Sequence, residues 1–275
     1  MVVNEENISF SVSLALKEDI GTGDITAALL PEESYSTATL VSREMAVLCG
    51  CAWFNEVFKQ LDKTIKIEWF AKDADKIMPN QPLCKIHGPT RALLTGERTA
   101  INFLQTLSGT ATTVRSYAEI IKGTHAQLLD TRKTIPGLRL AQKYAVTCGG
   151  GINHRIGLYD AFLIKENHIL AKESIGNAVL AAKKSGLPVE VEVENLIELE
   201  EALVAEADSI LLDNFSLENL HKAVIITQGR AKLEASGNID KANLHAIAAT
   251  GVDYISIGSL TKNLKAIDFS MRFDG

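Results

Sequence analysis

Residues 231–262 read AKLEASGNIDKANLHAIAATGVDYISIGSLTK. A short apolar run ends in Ser236-Gly237-Asn238, and a helical pattern comes next, with Asp240 as its expected N-cap and Gly251 as its expected C-cap. A second apolar run, DYISI, then ends in Gly258-Ser259. Strand, helix and strand in this order make a parallel pair with a crossover helix. Upstream, AQLLD, AFLI, PVEVEV and SILL, centred near residues 128, 163, 191 and 210, repeat the pattern. Six such units predict a parallel sheet with right-handed crossovers.

The residues at the strand ends separate a barrel from an open sheet. The ends read LLD-TRK, LIK-ENH, EVE-VEN, LLD-N, EAS-GN and SIG-S, so nearly every one carries charged, amide or small residues. An open sheet concentrates ligand groups at one switch point, whereas a barrel gathers them from many strand ends onto one face. The pattern predicts an α/β barrel. With six or seven strands rather than the usual eight, it is expected to be incompletely closed.

A face built from these ends collects positive charge from Arg132, Lys133, His154, Arg155, Lys165 and His168. Glu192 and Asp213 add negative charge, and Ser236, Gly237, Asn238, Gly258 and Ser259 add hydrogen-bond donors. Arginine forks and lysine point charges suit carboxylates and phosphates. The SGN and IGS ends suit phosphate, as at the last strands of barrels. Net charge is −6 over 275 residues, yet residues 132–168 hold six Lys or Arg against two acids. A compact basic region on an acidic chain suits a small polyanion and argues against nucleic acid. Lys143, alone in this group, is expected on the solvated surface.

Glu190, Glu192 and Glu194 alternate along one strand and share a face. Such a stripe needs lysine, arginine or a cation opposite it. Glu190 fits an internal salt-bridge ladder, and Glu192 with Asp213 fits ligand hydroxyls or Mg²⁺.

The first hundred residues show no regular alternation and suggest an α+β region. Asn7 is a candidate cap for a helix to about Lys17, residues 37–43 and 64–70 alternate as strands, and residues 51–61 are helical. From Pro89 a long helix is expected to about Lys122, bent near Ser108 and Gly109. The triple glycine at 149–151 suggests a mobile loop carrying His154 and Arg155.

Other classes find little support. No apolar run approaches the roughly 18 residues of a membrane span, and MVVNEENISF lacks the basic start of a signal peptide, so a cytoplasmic location is expected. The four cysteines form no CxxC pair and read as free thiols. There is no Walker loop, GxSxG, HExxH or GxGxxG before a helix. A Schiff-base lyase using Lys165 or Lys133 stays open as a reading of the residues alone.

The motifs GERTAINFLQTLSGTAT (96–112), DTRKTIPGLRLAQKYAV (130–146), GGGINHRIGLYDAFLIKENHI (149–169), VEVEVEN (189–195), LLDN (211–214), LEASGNI (233–239) and GVDYISIGSLTK (251–262) resemble the quinolinate phosphoribosyltransferase family. EDIGTGDIT near the N-terminus joins them, so the resemblance spans nearly the whole chain. It implies an N-terminal α/β sandwich domain at 1–110 and a C-terminal incomplete α/β barrel at 111–275, with the final residues packing back on the first domain. It also implies a homodimer, or a hexamer built from dimers, with shared sites. The implied reaction joins quinolinate and phosphoribosyl pyrophosphate with Mg²⁺, giving nicotinate mononucleotide, carbon dioxide and pyrophosphate; a relative acting on another aromatic acid is the neighbouring alternative.

By matching motifs, Arg98 from a neighbouring subunit, Arg132, His154, Arg155 and Lys165 would surround quinolinate. Lys133 and His168 would lie near the reacting groups or the pyrophosphate. Glu192 and Asp213 would serve ribose hydroxyls and Mg²⁺; with Lys133 and Lys165 they form the implied catalytic set. Thr131, Ser236, Gly237, Asn238, Ile257, Gly258 and Ser259 complete the implied substrate contacts.

Overall fold

The computed structural model describes residues 3–274. In chain order, α1 (Glu5–Ile20), β1 (Tyr35–Ser42), β2 (Ala46–Val47), α2 (Cys51–Leu61), β3 (Lys66–Trp69), β4 (Lys76–Ile77), β5 (Pro82–Pro89) and α3 (Thr90–Ala118) come first. Next come β6 (Gln127–Leu129), α4 (Arg139–Gly149), β7 (Phe162–Ile164), α5 (Glu166–Ala171), α6 (Ile175–Lys183), β8 (Val189–Val193), α7 (Leu196–Val204), β9 (Ser209–Asp213), α8 (Leu217–Thr227) and β10 (Lys232–Ser236). The chain ends with α9 (Leu244–Ala248), β11 (Tyr254–Ser256), α10 (Ser259–Lys262) and β12 (Phe269–Phe273).

Two compact units divide these elements. The first takes residues up to Arg115, then Thr134–Gly150 and the chain from Leu260 on; the second takes Ser116–Lys133 and Gly151–Ser259. The resemblance implies a boundary after residue 110 with the final residues packing back on the first domain; the compact units interleave, and the chain from Leu260 on groups with the first.

The first unit is built on an antiparallel sheet in the order β12-β1-β5-β3. The last strand closes its edge, Leu40 pairing with both Met271 and Cys84. Trp53, Phe54, Val57 and Phe58 of α2 are buried there with Leu93, Leu104 and Leu107 of α3 and Ala141 and Ala145 of α4. Such apolar burial, at about 25 cal/mol per Å², is the main force holding the unit together.

The second unit is a parallel sheet in the order β6-β11-β10-β9-β8-β7. Its first strand lies beside its last, the wrap-around of a barrel and not the order of a doubly wound sheet. Between β6 and β7 a single parallel bridge, Leu129 to Ile152, stands where a further strand would close the barrel. Val189, Val191 and Val193 are fully buried, leaving Glu190 and Glu192 on the opposite face of β8. Two of the strand-to-helix connections end in a cap, Asn195 and Ser216 accepting backbone N–H groups at the starts of α7 and α8, and Ser174 does the same between α5 and α6.

Several local expectations need correction. α1 is capped by Asn4, whose side chain accepts the Asn7 N–H, so the helix begins before Asn7. α3 runs unbroken through Ser108 and Gly109. There Ser108 bonds both the N–H and the carbonyl of Cys49, while a Cβ on Gly109 would come within 2.3 Å of the Lys265 carbonyl oxygen. The small pair serves close approach and not a bend. Asp240 caps a turn, and α9 starts later, at Leu244, ending before Gly251. Lys143 is fully buried rather than solvated, on a helix whose Ala141, Ala145 and Cys148 belong to the core of the first unit. The triple glycine is a packed helix end. A Cβ on Gly149 would lie 2.5 Å from that of Val114, and Gly150 caps α4 in the left-handed conformation.

Candidate active site

The site begins with Asp130, fully buried just after β6. Its Oδ1 accepts the His154 backbone N–H at 2.9 Å and its Oδ2 accepts the Asn153 amide at 2.7 Å. These bonds fold the segment after α4 back over the strand ends. His154 Nε2 then lies 2.7 Å from Glu190 Oε2 and 3.5 Å from Glu234 Oε2. Glu190 therefore meets an imidazole and a second carboxyl group, so the internal ion pair expected for it is made to a histidine rather than to lysine or arginine. Burial above all, and then the charge of Glu190, push the Glu234 carboxyl up to about 8. One ligand atom from each of these three residues lies within 4.8 Å of the others, a spacing a cation could use. Arg132 and Arg155 line the same cavity as His154 and Glu234 and oppose one there.

Closer to solvent the charges pair conventionally. Lys165, just past β7, is ion-paired with Glu192 of β8. Arg155 donates to the Ala161 carbonyl at 3.2 Å; burial, then Arg132, lower its guanidinium from the ordinary value while Glu190 and Asp160 oppose the shift. A cavity of about 400 Å³ brings together Thr131, Arg132, Lys133, His154, Arg155, Lys165, Glu192, Asp213 and Ser236, with Glu234 and Ser256 beneath. This is a cationic cup with carboxylates and hydroxyls around one side.

The other sequence candidates lie around this cup. Gly237 and Asn238 continue from Ser236, both with positive φ. Asn238 donates its amide to Asn214 Oδ1, and Asn214 in turn donates to Asp213, so the SGN turn is tied to the end of β9. Gly258 lies against the Lys133 side chain, where a Cβ would be 2.9 Å from Cδ. Ile257 is buried and gives its N–H to the Leu129 carbonyl, and Ser259 opens α10. His168 accepts the Lys165 N–H through Nδ1 and lines an adjoining cavity of about 520 Å³ that shares Arg132, Arg155 and Lys165. Arg98 is exposed on α3 in the first unit.

Sequence reasoning passes over Asp130, Asn153, Glu234 and Ser256. Glu234 has a usable signal: a lone acid between Leu233 and Ala235 in a strand otherwise fit for burial. Asp130 looks like one more polar strand end, and only its two bonds distinguish it.

Against known proteins, residues 110–272 match the family model of the quinolinate phosphoribosyl transferase C-terminal domain, and residues 24–108 match that of its N-terminal domain. A probable carboxylating nicotinate-nucleotide pyrophosphorylase of Bacillus subtilis (strain 168) is 41% identical over 257 residues, covering 92% of this chain and 89% of the relative. A chloroplastic nicotinate-nucleotide pyrophosphorylase of Oryza sativa subsp. japonica is 38% identical, over 96% of this chain and 76% of its own. Among solved structures, the nicotinate-nucleotide pyrophosphorylase of Francisella tularensis superposes with a TM-score of 0.97 at 52% identity, covering 99% and 98% of the two chains.

Proposed function

We infer the activity from membership and from one cavity: the chain belongs to the quinolinate phosphoribosyl transferase family, and it converts quinolinate and phosphoribosyl pyrophosphate to nicotinate mononucleotide, carbon dioxide and pyrophosphate. The observation that carries this reading is the gathering of Arg132, Lys133, His154, Arg155 and Lys165 around one space edged by Glu192, Asp213 and Ser236. A planar dicarboxylate with a phosphorylated sugar donor matches that set of charges.

The chemistry asks for position and charge more than for a protein nucleophile. The ring nitrogen of quinolinate attacks the anomeric carbon as pyrophosphate leaves, so holding the two reactants in line supplies much of the rate. Arg132 and Arg155 clamp the ring carboxylates, with His154 and Lys165 beside them. Glu192 and Asp213 face the ribose, where positive charge develops as the bond to pyrophosphate breaks, and Lys133 takes up charge on the leaving group. Electrons left by departing carbon dioxide are stabilised by the adjacent, now cationic nitrogen, and that ring carbon then takes a proton from water to give the product. Lys165 already engages Glu192, which disfavours it as a Schiff-base nucleophile.

Mg²⁺ suits the donors present, since Glu192 and Asp213 offer hard carboxylate oxygens in the same cavity. Bound there with the donor's phosphates, it would neutralise charge on the pyrophosphate. We further propose a cytoplasmic enzyme, consistent with four free thiols, that works as a homodimer or a hexamer of dimers with Arg98 of a second copy completing each site. Among the described residues no helix is long and apolar enough to cross a membrane.

Release of carbon dioxide from ring-carboxyl-labelled quinolinate tests the activity: it is expected only with both phosphoribosyl pyrophosphate and Mg²⁺, and its absence from folded protein overturns the reading. Mixing inactive Arg98→Ala and Lys165→Ala subunits tests the shared site. Activity returns in the heterodimers if Arg98 acts across subunits, and stays absent if it does not.

A further inference from the structure

Beneath the cavity there is one carboxyl group more than the proposed reaction uses. Glu234 stands in mid-strand on β10, 1% exposed, and its Oε1 has no hydrogen-bond partner. Its Oε2 reaches His154 Nε2 at 3.5 Å, whereas the shorter bond from that nitrogen, 2.7 Å, goes to Glu190. A single imidazole N–H cannot satisfy two carboxylates. Ionising both in so dry a place is opposed by desolvation and by mutual repulsion.

We propose that Glu234 is a positioning residue of the anion site: held as a neutral acid against Glu190, it leaves one negative charge under His154, which orients the imidazole without repelling a dianionic ligand above it. The inference rests on the reading of the cavity as the quinolinate site. It differs from a metal site, because a proton meets the same electrostatic need beside two guanidinium groups.

The surroundings of Glu234 agree. It faces His154 from the segment after α4, Glu190 from β8 and the Ser256 hydroxyl from β11, where Tyr254 is its register partner. Arg132, Lys133, Arg155, Lys165, Glu192 and Asp213 line the cavity above. With its carboxyl raised to about 8, mainly by burial and then by Glu190, Glu234 is protonated at neutral pH and loses its proton above that value. In alkaline solution a second negative charge therefore appears under the ligand and weakens dianion binding.

The test is quinolinate binding by calorimetry, without phosphoribosyl pyrophosphate, from about pH 6 to about pH 10, a range over which both ligand carboxylates stay ionised. Wild-type affinity is expected to fall by roughly tenfold across pH 8 beyond any fall in Glu234→Gln, whose amide cannot ionise. Parallel curves for the two proteins would overturn the proposal. So would loss of binding at neutral pH in folded Glu234→Gln. Should that variant not fold, infrared spectroscopy of the wild type decides: a protonated-carboxyl stretch present at neutral pH and lost in alkali supports the proposal, and its absence overturns it. A folded wild type that binds no quinolinate at any pH rejects the cavity reading, and the inferred role with it.

Discussion

Glu190 and Glu192 stand two residues apart on one face of β8, and the molecule treats them in opposite ways. Glu192 side-chain exposure is 20%, and it meets Lys165, itself 45% exposed. Glu190 side-chain exposure is 9%, and it meets His154 and a second carboxyl group that is only 2% exposed. Near solvent a charge is matched by an opposite charge at little cost. One layer deeper, desolvation makes a neutral acid cheaper than another ion. In the proposed site a single strand thus supplies one charge to meet ligand and another to orient the imidazole beside it.

The comparison breaks most readily at its upper level. Arg155→Ala is expected to weaken quinolinate binding by about 2–5 kcal/mol, the scale for removing one partner of a desolvated charge pair; unchanged affinity in a direct titration would remove Arg155 from the site. At the lower level, Asp130→Ala removes the acceptor for the His154 backbone N–H and the Asn153 amide. It should cost about 1.5–3 kcal/mol of stability, read from the denaturant midpoint, and raise the KM for quinolinate more than that for phosphoribosyl pyrophosphate.

Gly237→Ala tests the far edge of the cavity. The position has φ +95°, and a Cβ there would meet Asn214 Oδ1 at 2.2 Å. A backbone penalty of about 1–2 kcal/mol and a displaced Asn214 should raise the KM for phosphoribosyl pyrophosphate with quinolinate affinity little changed. Equal effects on both substrates would contradict that division of the site.

The gentlest test concerns stability against pH. Glu234 has its folded value raised from 4.5 to about 8, so the folded state holds a proton that the unfolded chain has released. Stability therefore falls as pH rises through that window, by at most about 1.4 kcal/mol per pH unit. Glu234→Gln should show a shallower fall in urea unfolding, and identical slopes would mean that Glu234 is ionised throughout.

The parts of this architecture legible in the sequence are those set by short-range pattern. The six strands and their polar ends emerge from alternation and turn residues, and strand ends are where a barrel collects its ligand groups. Long-range packing is not legible. Gly109 reads as a bend because nothing nearby announces the Lys265 carbonyl against it, and Lys143 reads as a surface charge because the burial of α4 depends on residues far away in the chain. The partners of Glu190 are hidden for the same reason, since they come from a different strand and a different loop. Glu234 escapes notice because a lone acid in an apolar run looks like an exception until its place beneath the cavity, beside His154, is seen.

The neighbouring of β6 and β11 also bears on how the protein is made. Gln127 pairs with Tyr254, and the side chain of Lys133 lies along Gly258, so the two ends of the barrel's own sequence meet at the site. Contacts between residues so far apart along the chain close late and slowly in folding. A polypeptide synthesised only as far as β10 already carries every charged residue of the cavity, yet its first strand still lacks the neighbour that seats it. Completion of the barrel's last strand is thus the step at which a string of charged residues is gathered around one cavity.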